Sequence, residues 1–253
     1  MADFGLIGKS LSHSFSQKYF QEKFLLEGLD HAYHVFDINS LEKLIDIIDT
    51  HPSLRGLNVT VPYKQEIIKY LNETDEVVKE LGAVNTIKII SSGRKPFLKG
   101  LNTDVIGFKK SLLPFLLKTK VNKALVLGNG GSAQAVKYVL KKLDIDFIFV
   151  TRNNHNAKNS YSTTITYNQL SQQIMENVQL IVNCTPLGKF PDVESFPPIP
   201  YQFIKEGTIA FDLNYNPAST VFLQKAIAQK CLDSNGLEML YSQAEASWQI
   251  WNS

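Results

Sequence analysis

The chain has little cysteine and no long apolar run. Only two of its 253 residues are cysteine, Cys184 and Cys231, and their spacing matches no metal-binding motif. A disulfide framework is therefore not expected, and this composition fits a reducing cytoplasm. No stretch approaches the length of a membrane-spanning helix, and the first residues lack the basic start of a signal peptide. We therefore expect neither export nor membrane anchoring.

An excess of charge of one sign is also lacking. The 26 basic and 24 acidic residues leave a formal net charge of +2, and like charges do not cluster in long blocks. We therefore expect neither a nucleic acid nor an anionic membrane as a partner. The hydrophobic content of 44% allows one large or two ordinary domains with real cores. The expected partner is a small-molecule substrate, and the expected assembly is a monomer or a homodimer.

Short apolar runs alternate with amphipathic stretches along the chain, which is typical of an α/β protein with mostly parallel sheets. Amphipathic helices are predicted at Leu41–Asp49 and Ala133–Leu143. Strands are predicted at Phe4–Ile7, Ala32–Phe36, Leu57–Val61, Thr86–Ile90, Ala124–Leu127, Asp146–Val150, Leu180–Asn183 and Thr208–Phe211.

Two such α/β units are predicted, with a hinge at Asn102–Val105, before a helix that runs from Val105 to about Leu117. The first unit is residues 1–103 and the second is residues 104–236, and a final helix follows at Leu237–Trp251. Ligands of open α/β sheets bind at the carboxyl ends of the strands. A cleft between the two domains is therefore the expected site.

A glycine-rich turn follows the strand that ends at Leu127 and precedes an amphipathic helix. Gly128 allows a tight turn, Gly130 lets backbone amides approach a pyrophosphate, and the small Ala133 permits close packing of the helix on the sheet. The phosphates would then lie at the N-terminus of the helix. In another context these glycines would indicate only a loop, but here they predict dinucleotide binding. The rest of the turn is Asn129, Gly131 and Ser132.

The choice of cofactor depends on the residues after the next strand. An acidic residue there would bind the ribose 2′-hydroxyl of NAD. This chain has Thr151, Arg152 and Asn153 instead. Arg152 can stack on adenine and pair with a 2′-phosphate, so NADP is predicted as the cofactor.

A lysine and an aspartate lie at two predicted junctions between a strand and a helix. Pro62 ends its strand and favours the first turn of a helix that runs to about Leu71, so Lys64 is expected in that turn. The helix dipole would there favour loss of its proton. Together with Asp104 it would form a proton-transfer couple. The alternatives are a solvated surface lysine and an aspartate that caps the helix starting at Val105.

Two serines stand at the start of an apolar-periodic segment. The hydroxyls of Ser14 and Ser16, beside free N–H groups of a helix, can hold a carboxylate. Ser14 and Gln17 also match a capping box, so capping alone explains one serine.

Polar side chains also occur where apolar ones are expected. Asn58 and Thr60 place an amide and a hydroxyl on one face of a predicted strand, although such a pair can simply satisfy backbone neighbours. Gln243 lies on the apolar face of the final helix, so it needs a polar partner.

Eight strings, spread over almost the whole chain in a fixed order, resemble those of the shikimate dehydrogenase family. The usual residues of that family are replaced at Gln17, Val105 and Lys189. The strings are Ser12–Ser16, Asn58–Lys64, Gly82–Thr86, Asn102–Asp104, Gly128–Ala133, Asn183–Gly188, Asp212–Pro217, and Asn235–Leu240 with Gln243.

The resemblance implies a substrate domain, residues 1–103 joined by the helix in 237–253, and a Rossmann-like NADP domain, residues 104–236. It implies reversible NADPH-dependent reduction of 3-dehydroshikimate to shikimate, on the route to aromatic amino acids and without a metal. Lys64 would transfer the proton, and Asp104 would hold the substrate hydroxyl and tune Lys64. The implied substrate ligands are Ser14, Ser16, Asn58, Thr60, Asn85, Tyr215 and Gln243. Beside the glycine turn and Thr151–Asn153, the implied cofactor residues are Thr185, Leu187, Gly236 and Met239.

Two alternative functions remain open at this point. One is an NAD-using quinate/shikimate dehydrogenase of the same fold, which the lack of an acidic residue after Val150 disfavours. The other is a catalytically silent nucleotide-binding regulator, since a fold does not determine a function. The presence of both Lys64 and Asp104 disfavours this alternative, because a protein that only binds a nucleotide needs no proton-transfer couple.

Overall fold

The computed structural model describes residues 1–11, 15–90, 95–153 and 163–253. The chain divides into two compact units. One comprises Met1–Thr103 with Ala244–Ser253, and the other comprises Asp104–Gln243. Ser14, one of the predicted carboxylate ligands, lies outside the described residues. Among the residues that are described, no helix has both the length and the apolar character needed to cross a membrane.

The first unit is built on a mixed sheet with the strand order β2-β1-β3-β5-β6-β4. Strand β5 is antiparallel to β3 and β6, whereas the other neighbouring strands are parallel. Its strands are β1 (Ala2–Gly8), β2 (His31–Asp37), β3 (Leu54–Val59), β4 (Glu73–Thr74), β5 (Thr86–Ile90) and β6 (Phe97–Leu101). Its helices are α1 (Phe15–Leu26), α2 (Lys43–Thr50), α3 (Glu76–Leu81) and a short 3-10 helix at Glu66–Tyr70.

The second unit is built on a parallel sheet with the strand order β12-β11-β10-β7-β8-β9. Its strands are β7 (Lys123–Leu127), β8 (Asp146–Thr151), β9 (Thr163–Thr166), β10 (Leu180–Asn183), β11 (Ile209–Asp212) and β12 (Leu232–Ser234). Its helices are α4 (Asp104–Leu116), α5 (Gly131–Lys142), α6 (Gln172–Glu176) and α7 (Val221–Ile227), with 3-10 helices at Tyr167–Gln169 and Tyr201–Phe203. A last helix, α8 (Leu237–Trp251), begins in this unit and ends in the first.

Counted from β7, the order of the second sheet is 3-2-1-4-5-6, which is the order of a Rossmann fold. The order reverses between β7 and β10, and ligands of such sheets bind at the carboxyl ends of the strands at that point. The prediction of an α/β protein with two parallel-rich sheets is confirmed.

Apolar residues of the strands form the cores. In the first unit Ile7, Leu57 and Ile87 are fully buried at the centre of the sheet. The end of α8 contributes Trp251, whose ring stacks on Phe4 at 4.9 Å and whose Nε1 donates to the carbonyl of Ile87 at 3.0 Å. The predicted helix at Leu237–Trp251 is confirmed, and its last residues complete the core of the first unit.

The predicted helix at Pro62–Leu71 is wrong, because a turn comes first and only the 3-10 helix Glu66–Tyr70 follows. In an α-helix the carbonyl of Lys64 would accept the N–H of Ile68. Here it accepts the N–H of Val84 at 2.7 Å, which ties this turn to a distant part of the chain. Lys64 therefore precedes the helix, and the predicted effect of a helix dipole on its ammonium group does not apply.

Candidate active site

The glycine-rich turn lies at the switch point of the second sheet, between β7 and α5. Gly128 has a φ of +93°, which favours glycine, and its N–H donates to the carbonyl of Val150 at 2.8 Å. A Cβ added to Gly128 would lie 3.1 Å from Cγ2 of Thr185. The structure therefore brings the predicted pyrophosphate turn into close contact with the loop that follows β10.

Helix α5 begins at Gly131, directly after this turn. Its N-cap residue, Gly130, makes no side-chain cap hydrogen bond, and a Cβ added there would meet no described atom within 4 Å. Asn129 is exposed and Ser132 is half-buried, whereas Ala133 is buried. Packing within the described protein thus explains Ala133 but not Gly130. Uncapped N–H groups at a helix N-terminus bind anions, so the turn fits a pyrophosphate.

The end of β8 carries the residues predicted to select the cofactor. Thr151 is buried and its hydroxyl donates to the carbonyl of Asn153 at 3.1 Å, whereas Arg152 and Asn153 are exposed. Burial raises the pKa of Tyr167 to about 12, and the positive charge of Arg152 acts against this rise. Arg152 follows β8 directly and Tyr167 follows β9, so both residues lie at the carboxyl ends of neighbouring parallel strands.

The loop after β10 carries Thr185 and Leu187, and a buried asparagine holds it. Oδ1 of Asn183 accepts hydrogen bonds from the backbone N–H and the hydroxyl of Thr185, at 3.1 and 2.6 Å. The hydroxyl oxygen of Thr185 accepts the N–H of Leu187 at 3.3 Å. The loop therefore has a defined shape beside Gly128.

Two further predicted cofactor residues lie at the start of α8. A Cβ added to Gly236 would lie 2.2 Å from the carbonyl oxygen of Leu213, so close backbone packing explains this glycine. Met239 is buried, and its carbonyl oxygen would lie 2.5 Å from a Cβ added to Gly107 of α4. The start of α8 is thus packed tightly within the second unit, and packing accounts for both residues.

In the first unit, Asn58 and Ser16 share one tyrosine. The hydroxyl of Tyr33 donates to Oδ1 of Asn58 at 2.8 Å, and Nδ2 of Asn58 donates to Oγ of Ser247 at 3.0 Å. Burial raises the pKa of Tyr33, and a side-chain hydrogen bond with Ser16 partly offsets that effect. Two predicted substrate ligands are therefore linked through a residue that no motif singled out.

A buried set of hydroxyls and amides extends this link from Asn58 to Asn85. Oδ1 of Asn85 accepts the backbone N–H of Thr103 at 2.7 Å and its hydroxyl at 3.2 Å. The hydroxyls of Thr86 and Ser247 lie 2.8 Å apart, and each lies 3.2 Å from the hydroxyl of Thr103. These side chains are all buried, and their mutual hydrogen bonds offset the loss of water. The network holds the two asparagines in fixed orientations.

Thr60 and Lys64 lie in the turn after β3. Thr60 is half-buried; its N–H donates to the carbonyl of Ile7 at 3.0 Å, and its own carbonyl accepts the N–H of Tyr63 at 2.9 Å. Lys64 is also half-buried, and its carbonyl bonds to Val84, the residue directly before Asn85 in the chain. The backbone of Lys64 is therefore anchored beside the segment that carries Asn85.

Three predicted residues lie in the second unit. Asp104 is buried in the first turn of α4, where the positive end of the helix favours a carboxylate. Gln243 is buried, and its Nε2 donates to the carbonyl of Leu240 at 2.9 Å. Tyr215 is half-buried, and burial raises its pKa. Asp104 thus belongs to a different unit from Lys64.

Comparison with known proteins gives matches along the whole chain. The family model described as "Shikimate dehydrogenase substrate binding domain" matches residues 6–87. The NADP(+) shikimate dehydrogenase of Methanococcus aeolicus is 36% identical over an alignment that covers 98% of this chain and 90% of that protein. The chain belongs to the shikimate dehydrogenase family.

Solved structures of this family share the fold over the full length. A chorismate mutase/shikimate 5-dehydrogenase fusion protein from Clostridium acetobutylicum is 38% identical, with a TM-score of 0.86 and coverage of 100% of this chain and 91% of that chain. The shikimate 5-dehydrogenase of Thermus thermophilus, in complex with NADP(H) and shikimate, is 28% identical, with a TM-score of 0.85 and coverage of 99% and 93%.

The sequence analysis missed some residues that support the site. Asp212 and Asn214 lie in a string that resembles the family, yet that string predicts only Tyr215 as a ligand. A signal for Asp212 was present, because a carboxylate that directly follows three apolar strand residues needs partners. Tyr33 lies in the middle of a predicted strand, where an aromatic residue is read as core.

Proposed function

We propose that Lys64 and Asp104 are the catalytic residues of this protein, which catalyses the reversible NADPH-dependent reduction of 3-dehydroshikimate to shikimate in aromatic amino-acid biosynthesis. The observation that carries this function is the similarity, over 98% of the chain, to an NADP(+) shikimate dehydrogenase. The Rossmann order of the second sheet, with a glycine turn at its switch point, supports the same conclusion.

The proposed chemistry needs a hydride donor, a proton donor and a held substrate. Bound NADPH supplies the hydride to the carbonyl carbon of 3-dehydroshikimate. The ammonium group of Lys64 gives a proton to the carbonyl oxygen, and in the reverse direction neutral Lys64 takes the proton of the hydroxyl. The carboxylate of Asp104 accepts a hydrogen bond from that hydroxyl and so holds it for transfer.

The substrate is bound by hydroxyl and amide groups at its two ends. Ser14 and Ser16 hold the carboxylate, since hydroxyls and N–H groups at a helix start are good donors to an anion. Ser16 lies beside Tyr33, whose hydroxyl donates to Oδ1 of Asn58 at 2.8 Å, so the two proposed ligands are neighbours of one residue. The residues that bind the ring hydroxyls are Asn58, Thr60, Asn85, Tyr215 and Gln243.

The cofactor is bound by the second part of the chain. The turn Gly128–Ala133 binds the pyrophosphate, and Arg152, with Thr151 and Asn153 beside it, binds the 2′-phosphate. The nicotinamide lies near Thr185, Leu187, Gly236 and Met239. NAD is disfavoured because Thr151–Asn153 contains no carboxylate for the 2′-hydroxyl.

The domain roles follow the same division. Residues 1–103, together with the helix in 237–253, bind the substrate, and residues 104–236 bind NADP. The match of a substrate-binding family model to residues 6–87 supports the first assignment. We place the protein in the cytoplasm as a monomer or homodimer, and the free thiols of Cys184 and Cys231 support a reducing compartment.

The test is a dehydrogenase assay of the purified protein, which follows absorbance of the reduced nicotinamide. Shikimate and quinate are each offered with NADP and with NAD. The highest kcat/KM is expected for shikimate with NADP. A higher value for quinate or for NAD would favour the NAD-using alternative, and binding of NADP without turnover of either substrate would favour a regulator.

A further inference from the structure

Asp212, at the carboxyl end of β11, has a fully buried carboxyl group that the proposed chemistry does not use. Its Oδ1 accepts hydrogen bonds from Nδ2 of Asn183 and from the backbone N–H of Asn214, each at 3.0 Å. Its Oδ2 accepts the hydroxyl of Thr220 at 2.6 Å. Three donors therefore converge on one carboxylate in the interior of the second unit. Hydrogen bonds to charged groups are stronger than those between neutral groups.

The partners of Asp212 lead directly to the loop after β10. Asn183 uses its Nδ2 for Asp212 and its Oδ1 for the N–H and hydroxyl of Thr185. Asn214 uses its backbone N–H for Asp212, and its Nδ2 donates to the carbonyls of Thr185 and Leu187 at 3.0 and 3.1 Å. Nδ2 of Asn183 also donates to the carbonyl of Leu187 at 3.3 Å, so both ends of this amide bond to the loop. Since an ionised carboxylate only accepts, Asp212 fixes the orientation of the Asn183 amide.

Gly188, at the end of this loop, packs against Thr220, which is the third hydrogen-bond partner of Asp212. Gly188 has a φ of +89°, and a Cβ added there would lie 3.3 Å from Cβ of Thr220. Thr220 also caps α7, where its hydroxyl oxygen accepts the N–H of Leu223 at 3.4 Å. Each of the three donors to Asp212 is thus connected, by a hydrogen bond or by close packing, to the segment from Thr185 to Gly188.

We propose that Asp212 is a positioning residue for NADP: its ionised carboxylate sets the shape of the loop of residues 184–188, and through that loop the affinity for the nicotinamide half of the cofactor. This inference rests on the proposed function, which assigns Thr185 and Leu187 to that half. Asp212 itself touches neither the cofactor nor the substrate in this account.

The charge state of Asp212 makes the affinity depend on pH. Burial raises the pKa of Asp212 to about 6, although Thr220, Asn214 and Asn183 lower it. Two further titratable groups face it, the thiol of Cys184 and the phenol of Tyr201. Burial is the main cause that raises the pKa of Cys184 and of Tyr201, and the negative charge of Asp212 raises both pKa values further.

Cys184 and Tyr201 therefore stay neutral while Asp212 titrates. A proton on Oδ2 turns that oxygen into a donor toward the hydroxyl of Thr220, and it removes the charge that strengthens the hydrogen bonds from Asn183 and Asn214 to Oδ1. The loop is consequently held above about pH 6 and loosened below it.

The first experiment needs no variant. Kd is measured for NADP⁺ and for 2′-phospho-ADP-ribose, which lacks nicotinamide but carries the same 2′-phosphate and pyrophosphate. Ionisation of the shared phosphates cancels in the ratio of the two constants. From about pH 8 to about pH 5 the ratio Kd(NADP⁺)/Kd(2′-phospho-ADP-ribose) should rise about 10-fold, as expected for weakened hydrogen bonds to a charge. A ratio that stays flat with pH would overturn the proposal.

The second experiment uses Asp212→Asn, which keeps the shape and removes the charge. At about pH 8 this variant should bind NADP⁺ about 10-fold more weakly, bind 2′-phospho-ADP-ribose as the unaltered protein does, and lose the pH dependence of the ratio. Asp233→Asn, at an exposed carboxylate on the neighbouring strand β12, is the control and should change none of these values.

The outcomes separate the two proposals. Equal loss of affinity for both ligands would mean general damage to the second unit and would contradict a role through the loop. If Asp212→Asn does not fold, the pH series on the unaltered protein still decides the question. Failure of the unaltered protein to bind NADP⁺ would refute the proposed function, whereas normal binding with a flat ratio would refute only the role of Asp212.

Discussion

The hydroxyl of Tyr33 donates a 2.8 Å hydrogen bond to the side-chain oxygen of Asn58, and both residues are buried in the first unit. Ser16 bonds to the same hydroxyl. One tyrosine therefore connects a residue proposed to hold the substrate carboxylate with a residue proposed to hold a ring hydroxyl. The ring of Tyr33 is itself fixed, because it stacks on Phe20 at 4.7 Å.

Replacement Tyr33→Phe should raise KM for shikimate about 5- to 10-fold, because a buried hydrogen bond contributes about 1–1.5 kcal/mol and both of its partners would lose orientation. KM for NADP should not change, and kcat should fall by a smaller factor than KM rises. Steady-state kinetics, with shikimate and NADP varied in turn, would measure the two KM values and kcat.

The matched control is Tyr19→Phe in α1, whose hydroxyl donates to Oε2 of Glu245 at 2.7 Å. This variant also loses a partly buried hydrogen bond of the first unit, but its partner is not a proposed ligand. It should lower Tm without raising KM for shikimate. If Tyr33→Phe behaves in the same way, the hydroxyl of Tyr33 serves only the stability of the fold.

Replacement of Ser14 and Ser16 together by Ala should raise KM for shikimate much more than it lowers kcat. A carboxylate remote from the reacting carbon is held similarly in the ground state and the transition state, so its loss affects binding first. KM for NADP should stay nearly constant. If Tm falls while KM for shikimate is unchanged, Ser14 and Gln17 serve as a capping box and the carboxylate is bound elsewhere.

Arg152→Asp should weaken NADP binding and shift preference toward NAD. The change removes a charge-assisted pair with the 2′-phosphate and adds a carboxylate that repels it. The measured quantity is the ratio of kcat/KM for NADP to that for NAD. An unchanged ratio would mean that a different group recognises the phosphate.

Features that depend on neighbouring residues were predictable from the sequence. The glycine turn could be predicted because a strand, three glycines and a helix follow one another within Lys123–Lys142. The helix at Leu237–Trp251 matches the prediction at both ends. The short strands β4 and β12, of two and three residues, carry too few positions to display an alternating pattern.

Features that depend on distant residues were not predictable. The segment at Lys64 forms a turn in place of a helix, and the carbonyl of Lys64 accepts the N–H of Val84. No pattern in the nearby sequence predicts that hydrogen bond. Likewise Asn58 bonds to Ser247, 189 residues further along the chain. Every proposed ligand was therefore named from the sequence, but only the folded chain reveals side chains that contact these ligands or their loop, such as Tyr33 and Asp212.

The central claim, proton transfer by Lys64, is tested most directly by the turnover of Lys64→Ala with shikimate and NADP. Lys69→Ala, at an exposed lysine in the adjacent 3-10 helix, is the control and should keep full activity. We expect kcat of Lys64→Ala to fall about 10²–10⁴-fold, the range of lost general acid–base catalysis, while Kd for NADP stays nearly the same. Full turnover in a folded Lys64→Ala protein would contradict it.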